Sequence, residues 1–333
     1  MASRSSQSGR PPRRPGERTE KERRTPQGSA GSRTTSGSAG RGGSHGAGPE
    51  GSGGAHATRN GAESPGAAGF RVGRVPAAEG VDHPPEGMVL IYGRNPVREA
   101  LRGRRRVRLV WLSTESAGDD LDATLDEWIA ESSGPRPDTR RATSLQLTSL
   151  AGSPDHQGIV AGVDPYPYLD PEGLLQRFTL VVALDEVQDP HNLGAIIRTA
   201  EGAGAGVVIP RHRAAEVTPA VVKASAGATE HASIAQVRNL ADFLSAAKKA
   251  GFWIYGAEAG GRDLYTAQDY RYPTCFVVGS EGRGLGKRVE SLCDVQISLP
   301  LKGEVGSLNV SVSTGILLYE AVRQRETTDG GVP

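Results

Sequence analysis

Two apolar patterns alternate along most of the chain. Short continuous runs at 180–184, 207–209, 234–237, 252–257, 275–278 and 295–299 predict strands buried on both faces. Between them, apolar residues recur at helical spacing. Leu193, Ile196, Ile197 and Ala200 predict a helix over 193–202, and further helices are predicted at 219–227, 241–250 and 310–325. Thr218-Pro219 opens the second of these, Asn239 caps the third and Gly251 ends it. Strands alternating with helices over 178–326 predict a mainly parallel, helix-covered sheet.

A smaller α/β unit precedes it over 86–163. A strand at 88–91 leads to a helix opened by Asn95-Pro96, and a basic stretch at 102–108 runs into a second strand ending at Leu112. A helix at 121–129, a segment at 144–150 and a strand at 158–163 complete it. The stretch 164–177, stiffened by Pro165 and Pro167, reads as a linker.

Neither pattern extends to the start of the chain. Residues 1–85 hold 18 of the 45 glycines but only Met1, Phe70, Val72, Val75 and Val81 as large apolar residues, too few to offset ordering entropy. They are expected to be a disordered tail, with a short C-terminal tail at 327–333. Charge divides at the same boundary. Of 39 Lys and Arg against 38 Asp and Glu, the first 85 residues hold 13 against 7, leaving 26 against 31 for the rest. The near-neutral total conceals a cationic arm, which is either a solvated tail or one that suits phosphate backbones.

Two cysteines, Cys275 and Cys293, exclude a disulfide framework, read as buried thiols, and give no structural zinc site; no metal is expected. No apolar run approaches the roughly 20 residues needed to cross a bilayer. The expectation is a cytoplasmic protein without a membrane partner.

Four segments bear on chemistry. Glu201-Gly202-Ala203-Gly204-Ala205-Gly206 superficially matches a dinucleotide loop, but it follows a helix and precedes a strand, the reverse of that fingerprint. Asn192, Gly194 and Arg198 follow a strand end, the place where parallel sheets hold ligands, along with Asp189 and His191. Arg198 lies nearly two turns on and can reach back, so either an amide and a guanidinium share a pocket or an Asn cap precedes a surface arginine. Val277–Gly286 joins a buried strand to a glycine-rich loop carrying Glu281, which reads as a ligand site against the alternative of a flexible connection. Ile297–Ser311 runs from a strand through Pro300 and Gly303 to a Ser/Asn-rich helix start, which is either a capped helix or a loop presenting carbonyls and amides to a purine edge.

In order, Asn192-x-Gly194-x-x-x-Arg198-Thr199-Ala200-Glu201, Gly279-x-Glu281-Gly282 and Pro300-x-x-Gly303-x-x-x-Ser307-Leu308-Asn309-Val310-Ser311 resemble the three motifs of the SpoU (TrmH) family of SPOUT RNA methyltransferases. Tyr92-Gly93-Arg94-Asn95-Pro96-Val97 and His156-Gln157-Gly158 make residues 87–163 similar to the ribosomal-protein-like substrate-binding domain of its ribosomal RNA branch.

The resemblance implies a trefoil-knotted sheet, a homodimer in which two subunits complete each site, and transfer of a methyl group from S-adenosylmethionine to a ribose 2′-hydroxyl, with a large-subunit ribosomal RNA guanosine as the expected target. It implies cofactor contacts at Gly279, Leu299 and Leu308. It places Asn192, Arg198, Glu281, Ser307 and Asn309 at the methyl-transfer site. Arginine stays protonated, so Arg198 is expected to stabilise the developing oxyanion, with Glu281 holding it and the base left open. Alternatives are a transfer RNA enzyme or a drug-resistance enzyme of the same family, and a non-catalytic RNA-binding protein.

Overall fold

The computed structural model describes residues 84–115, 120–212, 214–280 and 282–328. The expected N-terminal tail falls outside them except for its last two residues, as does Glu281.

The front unit is built on β1 (Val89–Tyr92), β2 (Val107–Ser113), β3 (Asp138–Ala142) and β4 (Ile159–Val163) in the order β1-β4-β2-β3. Only β2 and β3 run parallel. On one face lie α1 (Arg94–Arg102) and α2 (Leu121–Glu131), whose Val97, Leu101, Leu121 and Leu125 join the main core. On the other, α3 (Ser144–Ala151) buries Leu147 against Leu109, Trp111 and Val160. A capping box between Thr143 and Gln146 starts α3.

After α4 (Pro171–Arg177) come β5 (Leu180–Asp185), α5 (Pro190–Gly202), β6 (Gly206–Pro210), α6 (Pro219–Ala224), β7 (Ile234–Val237), α7 (Leu240–Lys249), β8 (Trp253–Ala257), β9 (Asp263–Leu264), β10 (Thr274–Gly279), α8 (Lys287–Glu290), β11 (Val295–Ser298) and α9 (Val310–Thr328). The seven strands form one sheet in the order β7-β6-β5-β10-β8-β11-β9, and every pair is parallel. This is the doubly covered sheet that the apolar runs predict. Along β5, Leu180, Val182 and Leu184 face the core shared with α5 and α9, while Val181 and Ala183 face the one shared with α7; Phe276 and Val278 alternate with Cys275 and Val277 along β10 in the same way.

Residues 171–177, β3, β9, α8 and Cys293 differ from the sequence reading, and α9 runs to Thr328, into the expected C-terminal tail. Residues 171–177 are helical, because Asp170 accepts from the backbone N–H groups of Glu172 and Gly173 and Leu174 is fully buried beside Gly206. Strand β3 was not predicted, since its sequence, Asp-Thr-Arg-Arg-Ala, lies at a sheet edge and buries only Ala142. Cys275 is buried as expected, but Cys293 is only half-buried.

The basic stretch at 102–108 is largely occupied within the fold. Arg105 pairs with Glu230 in an ion pair almost wholly out of solvent, Nε to Oε2 being 2.8 Å. The same guanidinium lies 5.7 Å from the Tyr166 ring centroid. Arg104 donates to the carbonyls of His231 and Ala232, and His231 Nε2 lies 2.8 Å from a Glu99 carboxylate oxygen. Lys223 of α6 donates to the Asp155 carbonyl at 2.9 Å. The motifs around Gly93 and His156 meet here too, with Gln157 Oε1 accepting from the backbone N–H of Arg94 at the start of α1.

Candidate functional site

The four central strands, β5, β10, β8 and β11, end on the same edge of the sheet, and the loops that follow them meet there. The β5 loop leads into α5. Asp189 caps that helix by accepting from the His191 N–H at 3.0 Å, and Pro190 takes its first position. Asn192 therefore sits inside the first turn and is not the cap, which frees its amide for tertiary use. Gly194 is needed for packing: a Cβ there would meet the Cβ of Ala224 on α6 at 2.6 Å.

The β10 loop folds back on itself. Ser280 bridges to Gly284, whose N–H donates to the Ser280 carbonyl at 3.2 Å. A Cβ on Gly279 would fall 2.2 Å from the Gly284 carbonyl oxygen, so the backbone closes there only because residue 279 has no side chain. Asp185, at the end of β5, pins the far side of this loop by accepting from the Gly286 N–H at 2.8 Å. Burial raises the Asp185 carboxyl above its ordinary value, with the Gly286 N–H opposing that shift and the neighbouring Glu186 adding to it. Glu186 is held at φ 58°, a left-handed conformation uncommon for a residue with a side chain.

The β11 loop ends at Asn309, which starts α9 by accepting from the N–H and hydroxyl of Ser311 at 2.8 and 2.6 Å. Its amide group faces the other way: Asn309 Nδ2 donates to Asn192 Oδ1 at 2.9 Å. One short polar segment thus both caps a helix and links the loops after β5 and β11.

These loops enclose two adjoining clefts. The larger, of about 500 Å³, is lined by Gly279, Leu299, Ser307 and Leu308, with Glu258 on one wall. The smaller, of about 280 Å³, is lined by Glu186, Asp189 and Asn192. Ser280, Arg283 and Val310 border both. Seven of the eight residues singled out from the sequence are described, and six of them belong to this arrangement. Arg198 does not: it is exposed on α5 and lines neither cleft. Sequence reasoning missed Asp185, Glu186, Glu258 and Arg283. The signal available for the two strand-end acids, Asp185 after Leu184 and Glu258 after Ala257, was their position at the carboxyl end of an apolar run. Among the described residues, no three His, Cys, Asp or Glu side chains group closely enough to hold a metal ion, and no helix is long and apolar enough to cross a membrane.

Residues 179–319 match the family model described as the SpoU rRNA Methylase family, and residues 90–169 match RNA 2′-O ribose methyltransferase substrate binding. A Bacillus subtilis protein described as a TrmH family tRNA/rRNA methyltransferase is 38% identical over 244 residues, which is 71% of this chain and 95% of that one. A Synechocystis protein described as an uncharacterized tRNA/rRNA methyltransferase is 39% identical over 247 residues, covering 72% of this chain and 64% of its own length. Among solved structures, the SpoU methyltransferase AviRb from Streptomyces viridochromogenes superposes with a TM-score of 0.61 at 27% identity, over 73% of this chain and 91% of that one. The same enzyme in complex with AdoMet superposes with a TM-score of 0.59 at 26% identity, over 72% and 91%. With its parallel sheet, its paired clefts and these relatives, the chain belongs to the SpoU (TrmH) family of RNA methyltransferases.

Proposed function

We propose that this protein transfers the methyl group of S-adenosylmethionine to a ribose 2′-hydroxyl of RNA, and that its target is a guanosine of large-subunit ribosomal RNA. The observation that carries this reading is the Asn192–Asn309 hydrogen bond, in which Asn192 lines the smaller cleft and Asn309 lies in sequence between Leu308 of the larger cleft and Val310, which borders both. A cleft of about 500 Å³ has the size of a site for a nucleoside-sized ligand, and Gly279, Leu299 and Leu308 offer it close backbone approach. The bound cofactor supplies an activated methyl group, and the chain's own task is alignment. Asn192 and Asn309 orient the acceptor hydroxyl, Ser307 borders the transfer point, and Arg198 stabilises the oxyanion, held by Glu281. The front unit, with its match to a substrate-binding family model, presents the RNA; that pairing is what favours ribosomal over transfer RNA.

The active form is a homodimer in the cytoplasm, where its RNA is. Support for pairing comes from α9, which exposes Val312 (51%) and Tyr319 (52%) two turns apart on one face.

Methyl transfer from labelled S-adenosylmethionine to total ribosomal and transfer RNA, followed by mapping, tests the reading. Label at one ribose of large-subunit RNA is expected, and label confined to transfer RNA would overturn the choice of substrate. Gly279→Ala is expected to weaken S-adenosylhomocysteine binding by about tenfold or more in calorimetric titration, since a displacement on the order of 1 Å in a binding loop is costly. Unchanged affinity would remove the β10 loop from the cofactor site.

A further inference from the structure

The larger cleft is walled mainly by glycine, alanine, serine and leucine, and among the described residues two ionisable side chains line it, Glu258 and Arg283. Their settings differ. The Arg283 side chain is 84% exposed, and its guanidinium stands 3.9 Å from Glu186 at the border with the smaller cleft. Glu258 is half-buried and is the first residue beyond β8. Its backbone is fixed on both sides, the N–H donating to the Ile297 carbonyl at 3.0 Å and the carbonyl accepting from Gly261 at 3.2 Å. Among the described residues the backbone N–H of Leu285 is the donor group that acts on the carboxylate, and Oε1 lies 3.7 Å from where a Cβ on Gly284 would stand. A carboxylate has about four acceptor positions, so a single N–H leaves room for donors brought by a ligand.

Burial and the nearby Glu290 hold this carboxyl above its ordinary range, with the Leu285 N–H opposing them. A vicinal ribose diol brings two O–H donors from one rigid ring and matches a two-oxygen acceptor. Acids at the carboxyl end of a strand in other parallel sheets hold the ribose of dinucleotides in this way.

Resting on the function proposed above, we propose that Glu258 binds the ribose 2′,3′-diol of S-adenosylmethionine and thereby fixes the nucleoside end of the cofactor in the larger cleft. Glu258 is a cofactor-binding residue with no part in moving the proton or the methyl group.

The test titrates wild type, Glu258→Ala and the isosteric Glu258→Gln with S-adenosylhomocysteine and with its 2′,3′-dideoxyribose analogue, with melting curves to show that each variant is folded. Glu258→Ala is expected to weaken S-adenosylhomocysteine by about tenfold or more, the range for hydrogen bonds to a charged group. The same substitution is expected to leave affinity for the dideoxy analogue within about twofold of wild type, because the partner group is already gone. Equal weakening of both ligands would assign Glu258 a structural role or a contact with the amino-acid end and overturn the inference, as would no weakening of either. If wild type binds no S-adenosylhomocysteine at all, the proposed function itself falls. Wild-type binding with an indifferent Glu258→Ala sinks the inference alone.

Discussion

Arg105→Ala is expected to destabilise the protein by about 3–5 kcal/mol, because it strands the Glu230 carboxylate unpaired and out of contact with solvent. The Arg105 and Glu230 side chains are 2% and 0% exposed, so neither charge can return to solvent without opening the packing around α1 and the 3-10 turn Ala228–Glu230. The loss extends beyond the pair, since the guanidinium also faces the Tyr166 ring, whose hydroxyl donates to the Ala232 carbonyl at 2.9 Å. Chemical denaturation followed by tryptophan fluorescence measures the effect. The double change Arg105→Met with Glu230→Leu separates the cost of an orphaned charge from the worth of the pair, and it is expected to recover most of the loss. A single mutant within about 1 kcal/mol of wild type would show that the site is wet and the pair dispensable. The functional consequence is positional. Residues of the front unit and of α5 and α6 belong to one continuous apolar core, and Arg105 locks the substrate-binding unit to the elements that carry Asn192. Under the proposed function, RNA held by that unit would thereby be presented at a set distance from the clefts.

This pair also marks where sequence reading ends. The strands were legible because a parallel sheet buried on both faces leaves unbroken apolar runs, as at Val181–Leu184 and Phe276–Val278. Helix α9 was legible because Val310, Leu317, Leu318 and Ala321 keep helical spacing. The three motif loops were legible because glycine and asparagine at strand ends and helix starts answer to local backbone geometry. The fate of the 102–108 arginines was not, since a cationic run looks the same whether it meets phosphate or a buried glutamate more than a hundred residues away. Asn192 read plausibly as a cap because Asn favours that position; the structure gives the cap to Asp189 three residues earlier, and only the tertiary partner Asn309 shows what the amide does. Glu258 belongs to no motif and gains its meaning from the walls that Ile297 and Leu285 build around it.

Arg198→Ala is expected to lower kcat for RNA methylation by about 10²–10³, the cost of removing one preorganised donor to a developing oxyanion, while leaving S-adenosylhomocysteine affinity unchanged. Stability should hold within about 0.5 kcal/mol, because Arg198 is exposed on α5. In one chain Arg198 lines neither cleft, whereas Asn192, two turns earlier on the same helix, does. The proposed dimer resolves this. If α5 and α9 form the seam, Arg198 of one subunit serves the clefts of its partner, and the two defects become complementary. Arg198→Ala keeps an intact cofactor loop, and Gly279→Ala keeps its arginine. Co-expressed as a mixed population and assayed at limiting S-adenosylmethionine, where Gly279→Ala is impaired as well, the two variants should approach about a quarter of wild-type activity, because half the dimers are then mixed and each mixed dimer has one complete site out of two. Activity no greater than the sum of the separate variants would place Arg198 in its own subunit's site, and unchanged kcat in Arg198→Ala would take it out of the chemistry.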